Sequence, residues 1–570
     1  MGTTTHLPFQ TLSDALFAAP SSKPFITMWK AEDDIESVTF GEFRRRALLQ
    51  AGHLQSQGIG VGDTIVLLMP QGIPLMASFV GALILGAVPA ILAYPNFKIE
   101  AAKYRFGLAG VSANLKPRLI VVDEKFPDEL LEHIRVEGPV RIVRFDDSDS
   151  MLPMRDIGQS VEPTSLAFIQ HSAGTTGLQK GVALSHAAVL EHLGNLAQAI
   201  HLCPEDRIYS WLPLYHDMGL IACFMLPLVC HVPVVMQSPT DWVMQPGTMC
   251  ELIQTYRCSL AWVPNFTLQF LARRMRPEDR SSLDLSSLRA LINCSEPVRA
   301  ASMDEFLAAF EHCGLKANVL QSCYAMAETV FAVTHSDIEA ADPRRIWLDG
   351  NSFRNRNCAF PVPRDTPGAI CTVSSGRCLP DTQIRIVSPE GRDLPPGGIG
   401  EIVIRSAAML DGYYNRPDLT AKALRDGWYW SGDLGFVLDD ELYVVGRKKD
   451  LIIVAGANIY PQDVEEIVSA HSAIYDGRVV AFGQYNSNLG TEEIIVVAEV
   501  RDERDLQMTR TIERELRAAI SSELAVGIGA IYLKPGRWIV KSSAGKPARS
   551  TTREKLLSEH MELQVQRGLS

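Results

Sequence analysis

Two rhythms of apolar residues alternate along the first half of the chain. Phe40–Gln57 carries apolar side chains at helical spacing and is closed by the glycines of Gly58–Gly62, which predicts a helix. The apolar runs within Asp63–Met69 and Arg118–Asp123 predict short buried strands, and Val140–Phe145 predicts a third. Ile73–Tyr94 holds no charge over a length that could span a bilayer. Pro74, Gly81, Gly86 and Pro89 interrupt it, and polar α/β sequence flanks it. It therefore reads as a buried helix followed by a buried strand, with no integral membrane association. Helix and strand alternating at this spacing predict mainly parallel sheet covered by helices, and the pattern resumes after Pro163 and runs to about Val330.

The texture then changes. Ile338–Cys371 is polar, broken and rich in Arg, Asn and Pro. Short strand candidates follow at Gln383–Val387, Glu401–Arg405, Tyr429–Trp430 and Leu442–Val445, separated by turn-rich sequence such as Pro389–Glu401. They predict a small antiparallel, barrel-like unit. Gly446-Arg447-Lys448-Lys449-Asp450 is a compact basic cluster and a candidate linker. Beyond it, strands at Ile452–Val454, Arg478–Phe482 and Glu492–Val500 and helices at Pro461–Ala470 and Leu506–Ser522 predict a smaller α+β domain over 451–570, long enough for its own core.

Composition narrows the function classes. Of 570 residues, 46% are apolar, which excludes a largely disordered chain. The net charge of −12 argues against a general nucleic-acid binder. Eleven cysteines lie scattered, no two spaced as CxxC, and Met1–Gln10 shows no basic or apolar leader, so reduced cysteines in a cytoplasmic protein are expected. No His/Cys/Asp set has zinc spacing, and neither GxSxG nor HExxH occurs.

Candidate chemistry sits at five places. Gln170–Gly181 (QHSAGTTGLQKG) crowds Ser172, Thr175, Thr176, Gly177 and Lys180 into what reads as a strand-to-helix loop. Backbone N–H groups freed of bulk, hydroxyls and a lysine suit an anion cradle of phosphate type, although not the Walker type; an ordinary Gly/Thr turn has the same composition. Tyr324-Ala-Met-Ala-Glu328 follows an apolar strand, and its lone carboxylate suits Mg²⁺ shared with phosphate oxygens, or a solvated helix start. Ser431-Gly-Asp433-Leu-Gly435 puts an Asp in a Gly-flanked turn, fit for a ribose diol or merely a turn residue. Lys546, in Ser542–Pro547, reads as a loop lysine, solvated or reactive. Leu212–Leu220 (LPLYHDMGL) sets Tyr215, His216 and Asp217 in an apolar run, as a satisfied core group or as a gate on an apolar cavity.

The order of these segments, with GRKKDLIIVAGANIYPQDVE between SGDLG and SAGK, resembles the adenylate-forming superfamily of acyl-CoA synthetases, luciferases and adenylation domains over nearly the whole chain. Trp211–Ile221 (WLPLYHDMGLI), Val263–Phe266, Asn293–Ala300 (NCSEPVRA) and Tyr460–Glu465 are most similar to the fatty acyl-AMP ligase branch. Glu328 and Gly376 lie 48 positions apart, a spacing lengthened where that branch carries an insertion, about 336–372. The sequence departs from the family at His171, Ala173, Ala325 and Cys294-Ser295.

The resemblance implies an α/β N-terminal adenylation domain (1–446) of two helix-covered, mainly parallel sheets plus a barrel-like unit. It implies a hinge at 447–450 that includes Lys449, and a mobile C-terminal domain (451–570). It implies ATP and Mg²⁺ as cofactors. ATP would be held by Ser172, Thr175, Thr176, Gly177, Lys180, Ser295, Glu296, Pro297, Tyr324, Glu328, Asp433, Arg447 and Lys546, with Glu328 on the metal. Lys546, Lys180 and His216 are the implied catalytic side chains. Trp211, His216, Met218, Phe224, Trp262, Asn265 and Phe266 would line an acyl pocket. A carboxylic acid, of the fatty-acid class, would become acyl-AMP and pass to the phosphopantetheine arm of an acyl carrier protein. CoA as acceptor, and a non-catalytic scaffold of the same fold, are the alternatives.

Overall fold

The computed structural model describes residues 7–31, 34–95, 101–138, 140–145, 161–171, 180–339, 343–486, 489–524, 526–541 and 546–568. Four parallel strands form the first sheet in the order Val88–Ile91, Thr64–Leu68, Leu119–Val122, Arg141–Arg144. The first three are fully buried, as their unbroken apolar runs require; the last is an exposed edge, with arginines at both ends. The expectation of a third buried strand at Val140–Phe145 is corrected accordingly.

The uncharged run from Ile73 divides as its Pro and Gly residues dictate. Helix Ile73–Leu85 has proline in its first turn and ends at Gly86 in the left-handed conformation, and strand Val88–Ile91 follows. This helix is apolar all round because it is covered all round: a Cβ at Gly81 would lie 2.8 Å from the Ala47 carbonyl oxygen of helix Phe40–Ser56. Among the described residues no helix is long and apolar enough to cross a membrane.

The second sheet has nine strands. Its centre, from Leu320–Ala325 through Ala290–Asn293, Leu260–Val263, Ile208–Ser210 and Val234–Gln237 to Pro24–Ala31, is parallel throughout, and antiparallel strands close its edges. The two helix-covered, mainly parallel sheets are thus as expected from the alternating pattern. Beside them stand an antiparallel sheet built from Thr382–Val387, Gly400–Ser406, Leu424–Arg425, Trp428–Leu438 and Glu441–Arg447, and a three-stranded sheet of Leu166–His171, Gly181–Ser185 and Gly412–Tyr413. Within 336–372 the chain forms a hairpin, Arg345–Asp349 with Ala369–Val373, enclosing helix Gly350–Arg356.

Beyond Asp450 a separate apolar cluster gathers Ile452, Val464, Val479, Ile494, Val496, Ile512, Leu516 and Ile531. It lies between the sheet Ile474–Asn486, Thr491–Val500, Ile528–Lys534 and the helices Pro461–Ser469 and Thr509–Leu524. The last of these helices starts three residues later than its sequence pattern suggested, because Glu503–Met508 winds as a 3₁₀ turn.

Four histidines, His171, His186, His192 and His335, are buried. Burial pushes His192 down to about 3 and the other three down to about 4. They fold neutral, so their contribution is complete above the unfolded-state value near 6.5 and is lost as pH falls from there toward 4. Each proton taken up on unfolding is worth about 1.4 kcal/mol per pH unit. Thermal midpoints measured from pH 7.5 to 5 are therefore expected to drop steeply below pH 6.5; a flat profile down to pH 5 contradicts neutral burial.

Candidate active site

Strand Gly181–Ser185 begins one residue after Lys180, and its partner Leu166–His171 takes in Gln170 and His171, the first two residues of the phosphate-loop candidate. The segment therefore joins two antiparallel strands, not a strand to a helix. Ser172, Thr175, Thr176 and Gly177 lie outside the described residues. The Lys180 ammonium sits 4.5 Å from the centroid of the Tyr413 ring. The Tyr413 hydroxyl donates to Glu328 Oε1 at 2.8 Å, with the Tyr429 hydroxyl 3.2 Å away. Glu328 itself lies in a single 3₁₀ turn, Ala327–Thr329, and is buried rather than solvated.

Tyr324 and Asp433 were both expected in turns or just past strands. Tyr324 is instead inside strand Leu320–Ala325, and Asp433 inside the long strand Trp428–Leu438, whose pairing with Glu441–Arg447 carries a bulge between Leu434 and Gly435. The glycines of SGDLG thus serve an irregular strand, which re-aims the Asp side chain. The Tyr324 hydroxyl donates to Asp433 Oδ2 at 2.7 Å, and Arg447, directly across the ladder, approaches Asp433 Oδ1 at 3.3 Å. Burial raises the Asp433 carboxyl above its ordinary value, although the Arg447 charge and Tyr324 oppose the shift. Burial and the neighbouring Asp433 charge raise the Tyr324 phenol well above its usual range. The basic cluster taken for a linker is only partly one: Gly446 and Arg447 close a strand, and Lys448–Asp450 make one 3₁₀ turn. Burial lowers Lys449, with the Arg447 charge adding to it.

Lys546 comes back from the far end of the chain and donates to the carbonyl oxygen of Ser295. Ser295 has φ +65°, a left-handed conformation that costs a non-glycine residue about 1–3 kcal/mol and is common at ligand sites. Its hydroxyl donates to the Met218 sulfur at 3.9 Å, and the next residue, Glu296, accepts the Phe266 N–H at 3.0 Å. Burial alone would raise the Asp217 carboxyl. His216 at 2.6 Å, the Met218 N–H and the Lys546 charge more than offset this and hold it below its usual range.

Met218–Met225 winds as a π-helix, a form found mainly at functional sites. It starts hard against the backbone: a Cβ at Gly219 would lie 2.3 Å from the Pro213 carbonyl oxygen. Of the residues expected to face an acyl group, Trp211 and Phe266 meet edge-on, and both contact Trp242, which stacks on Trp211 at 3.8 Å. Trp262 is buried in a central strand. Asn265 is engaged by Ser302, Asn293 and the Arg299 N–H. Phe224 stands apart from Trp211 and Phe266 in its ring contacts, packing on Phe25 and Phe43.

Three participants escaped the sequence reading. Tyr413 carries no charge and sits in DGYYNRP, which reads as a turn. Trp242 belongs to a short helix, Pro239–Met244, with no chemical signature. Arg299 was visible only as part of NCSEPVRA, yet it pairs with Glu466 and donates to the Gln462 carbonyl at 2.9 Å, while Arg273 pairs with Asp476. These contacts join the chain before residue 446 to the chain after 451.

The AMP-binding enzyme family model fits residues 17–414, and the chain belongs to that family. It is 29% identical to the medium-chain-fatty-acid–[acyl-carrier-protein] ligase JamA of Moorena producens, over 96% of this chain and 95% of that protein. A structure from a study of fatty acyl-adenylate ligases of E. coli and L. pneumophila superposes with a TM-score of 0.88 at 27% identity, covering 98% of this chain and 99% of that one. A second, the L. pneumophila fatty acyl-adenylate ligase in complex with acyl adenylate and pyrophosphate, gives 0.71 at 26% identity and 97% coverage of both.

Proposed function

We propose that the protein activates a carboxylic acid, a fatty acid in the first instance, to acyl-AMP at the expense of ATP. It then hands the acyl group to the phosphopantetheine thiol of an acyl carrier protein in the cytoplasm. The observation that carries this reading is the meeting of Lys546 with the Ser295 carbonyl, which brings a cation from far along the chain to the rim of the Met218–Trp211–Phe266 region. The similarity to JamA and to ligases of acyl-adenylate supports both half-reactions.

In the first step a carboxylate oxygen attacks the α-phosphorus of ATP and pyrophosphate leaves. Two anions must approach, so the work is positioning and charge neutralisation rather than proton transfer. Lys546 bridges the acyl carboxylate and α-phosphate, and Lys180 with the preceding loop holds the outer phosphates. Tyr324 flanks the adenine, with Ser295, Glu296 and Pro297 on its other side. Asp433 and Arg447 bind the ribose, and Glu328 would hold Mg²⁺. Among the described residues no group of three or more His, Cys, Asp or Glu gathers to hold a metal. The buried Glu328 carboxylate offers hard oxygen donors of the kind Mg²⁺ takes, and would hold the ion together with the nucleotide phosphates. Bound there, the ion supplies countercharge to the departing pyrophosphate.

In the second step residues 451–570 turn about 447–450, which withdraws Lys546 and lets the thiol reach the acyl carbonyl; AMP departs. Preference for a carrier over CoA is supported by the 336–372 insertion, whose Phe353 ring packs 5.7 Å from that of Tyr460 and so engages the chain just past the turning point.

The test is a panel of fatty and aryl acids with ATP, with acyl-adenylate and pyrophosphate measured directly, followed by CoA or a phosphopantetheinylated carrier. Acyl-adenylate with at least one alkyl acid, and faster transfer to the carrier, are expected. Silence across the panel returns the chain to the scaffold alternative, and equal acyl-CoA formation makes it an acyl-CoA synthetase.

A further inference from the structure

We propose that Tyr413 is a positioning residue that keeps Lys180 and Glu328 from pairing with each other, so that each stays available to the nucleotide. The inference rests on the reading of Lys180 as a phosphate ligand and Glu328 as a metal ligand. One buried ring touches both charges: the ammonium lies over its face at 4.5 Å, and the carboxylate takes its hydroxyl hydrogen at 2.8 Å. One side chain thus engages both charges, Lys180 through its face and Glu328 through its hydroxyl.

The main chain fixes that side chain from both sides. The Leu410 N–H donates to the Glu328 carbonyl at 2.9 Å, the Asp411 N–H to Ala183 at 2.9 Å and the Tyr414 N–H to Gly181 at 2.7 Å. Tyr413 pairs with Val182, two residues after Lys180, and its own N–H is taken by Thr420 Oγ1 at 2.9 Å. Residues 410–414 are thus stitched to the backbone of Glu328 at one end and to the strand following Lys180 at the other. A phenol is protonated at neutral pH, so it donates toward the carboxylate.

Opposite charges in a low-dielectric cleft attract strongly when nothing separates them. With the ring removed, Lys180 and Glu328 would neutralise each other, and ATP would have to break that pair before binding. With only the hydroxyl removed, the ring still shields Lys180, while Glu328 loses the donor that orients it.

The experiment measures binding of a non-hydrolysable ATP analogue by calorimetry, with and without Mg²⁺, beside pyrophosphate exchange, for Tyr413→Phe, Tyr413→Leu, Lys180→Ala and Tyr413→Leu/Glu328→Gln. Tyr413→Phe should leave metal-free analogue affinity unchanged and raise the Mg²⁺ concentration for half-activation about tenfold, the effect of one lost charge-assisted hydrogen bond. Tyr413→Leu should weaken metal-free affinity about tenfold or more, and adding Glu328→Gln should restore it, because Lys180 then has no carboxylate to fall onto. A packing role alone gives no such rescue. Unchanged affinity in Tyr413→Leu, or no rescue in the double variant, overturns the proposal; should Tyr413→Leu fail to fold, an unshifted Mg²⁺ dependence in Tyr413→Phe overturns it. Unchanged affinity in Lys180→Ala overturns instead the reading of Lys180 on which the proposal stands.

Discussion

Lys546→Ala is expected to lower ATP–pyrophosphate exchange by about 10²–10³-fold, the cost of removing one preorganised charge from a developing transition state. Nucleotide binding should survive. Lys546 contacts the Ser295 carbonyl, whereas the group around Tyr413 and the Tyr324–Asp433–Arg447 set involve other residues altogether. Fluorescence or calorimetric titration with ATP should therefore give a Kd near that of the parent while exchange collapses. A variant that exchanges pyrophosphate at the parental rate removes Lys546 from the chemistry.

The second large effect is on the ribose side. Asp433→Ala is expected to raise the KM for ATP about 10²-fold, since a carboxylate holding two sugar hydroxyls makes two charge-assisted hydrogen bonds. The same substitution strips a partner from the Tyr324 hydroxyl and from Arg447. The half-exposed Arg447 adds little to the cost, but the buried Tyr324 hydroxyl loses its acceptor, so the thermal midpoint should fall modestly, by the equivalent of about 1–3 kcal/mol. A parental KM in a folded Asp433→Ala protein places the ribose elsewhere; a large loss of midpoint with a parental KM makes Asp433 a structural residue only.

How much of this was legible in the chain follows from what each signal depends on. Buried strands such as Thr64–Leu68 and the helix Phe40–Ser56 declare themselves through local periodicity, and they stand where the pattern put them. The edge strand Arg141–Arg144 misled because an apolar pair, Ile142-Val143, looks alike whether or not a helix covers it. Ser431–Gly435 misled in the opposite direction: two glycines read as a turn, but cross-strand pairing with Gly400, Glu401 and Val444–Arg447 keeps them in a bulged strand. Charged and glycine-rich motifs could be picked out one by one. Tyr413 and Trp242 could not, because a neutral aromatic residue acquires a role only from the distant residues that its ring meets. Phe224 shows the converse, a residue chosen for its apolar neighbourhood whose ring meets Phe25 and Phe43 of the amino-terminal segment.

The seam between the two parts of the molecule is made of ions and carbonyls: Arg299 with Glu466, Arg273 with Asp476, Lys546 on Ser295. The apolar clusters on either side stay distinct, apart from Tyr460, which joins the cluster of Phe353 and Tyr443, and Leu451, which packs against it. The ionic contacts of such a seam are eased by electrolyte, whereas parting Tyr460 from Phe353 wets a buried aromatic pair. Were the two parts to separate during turnover, as proposed, dissolved salt would favour the open arrangement.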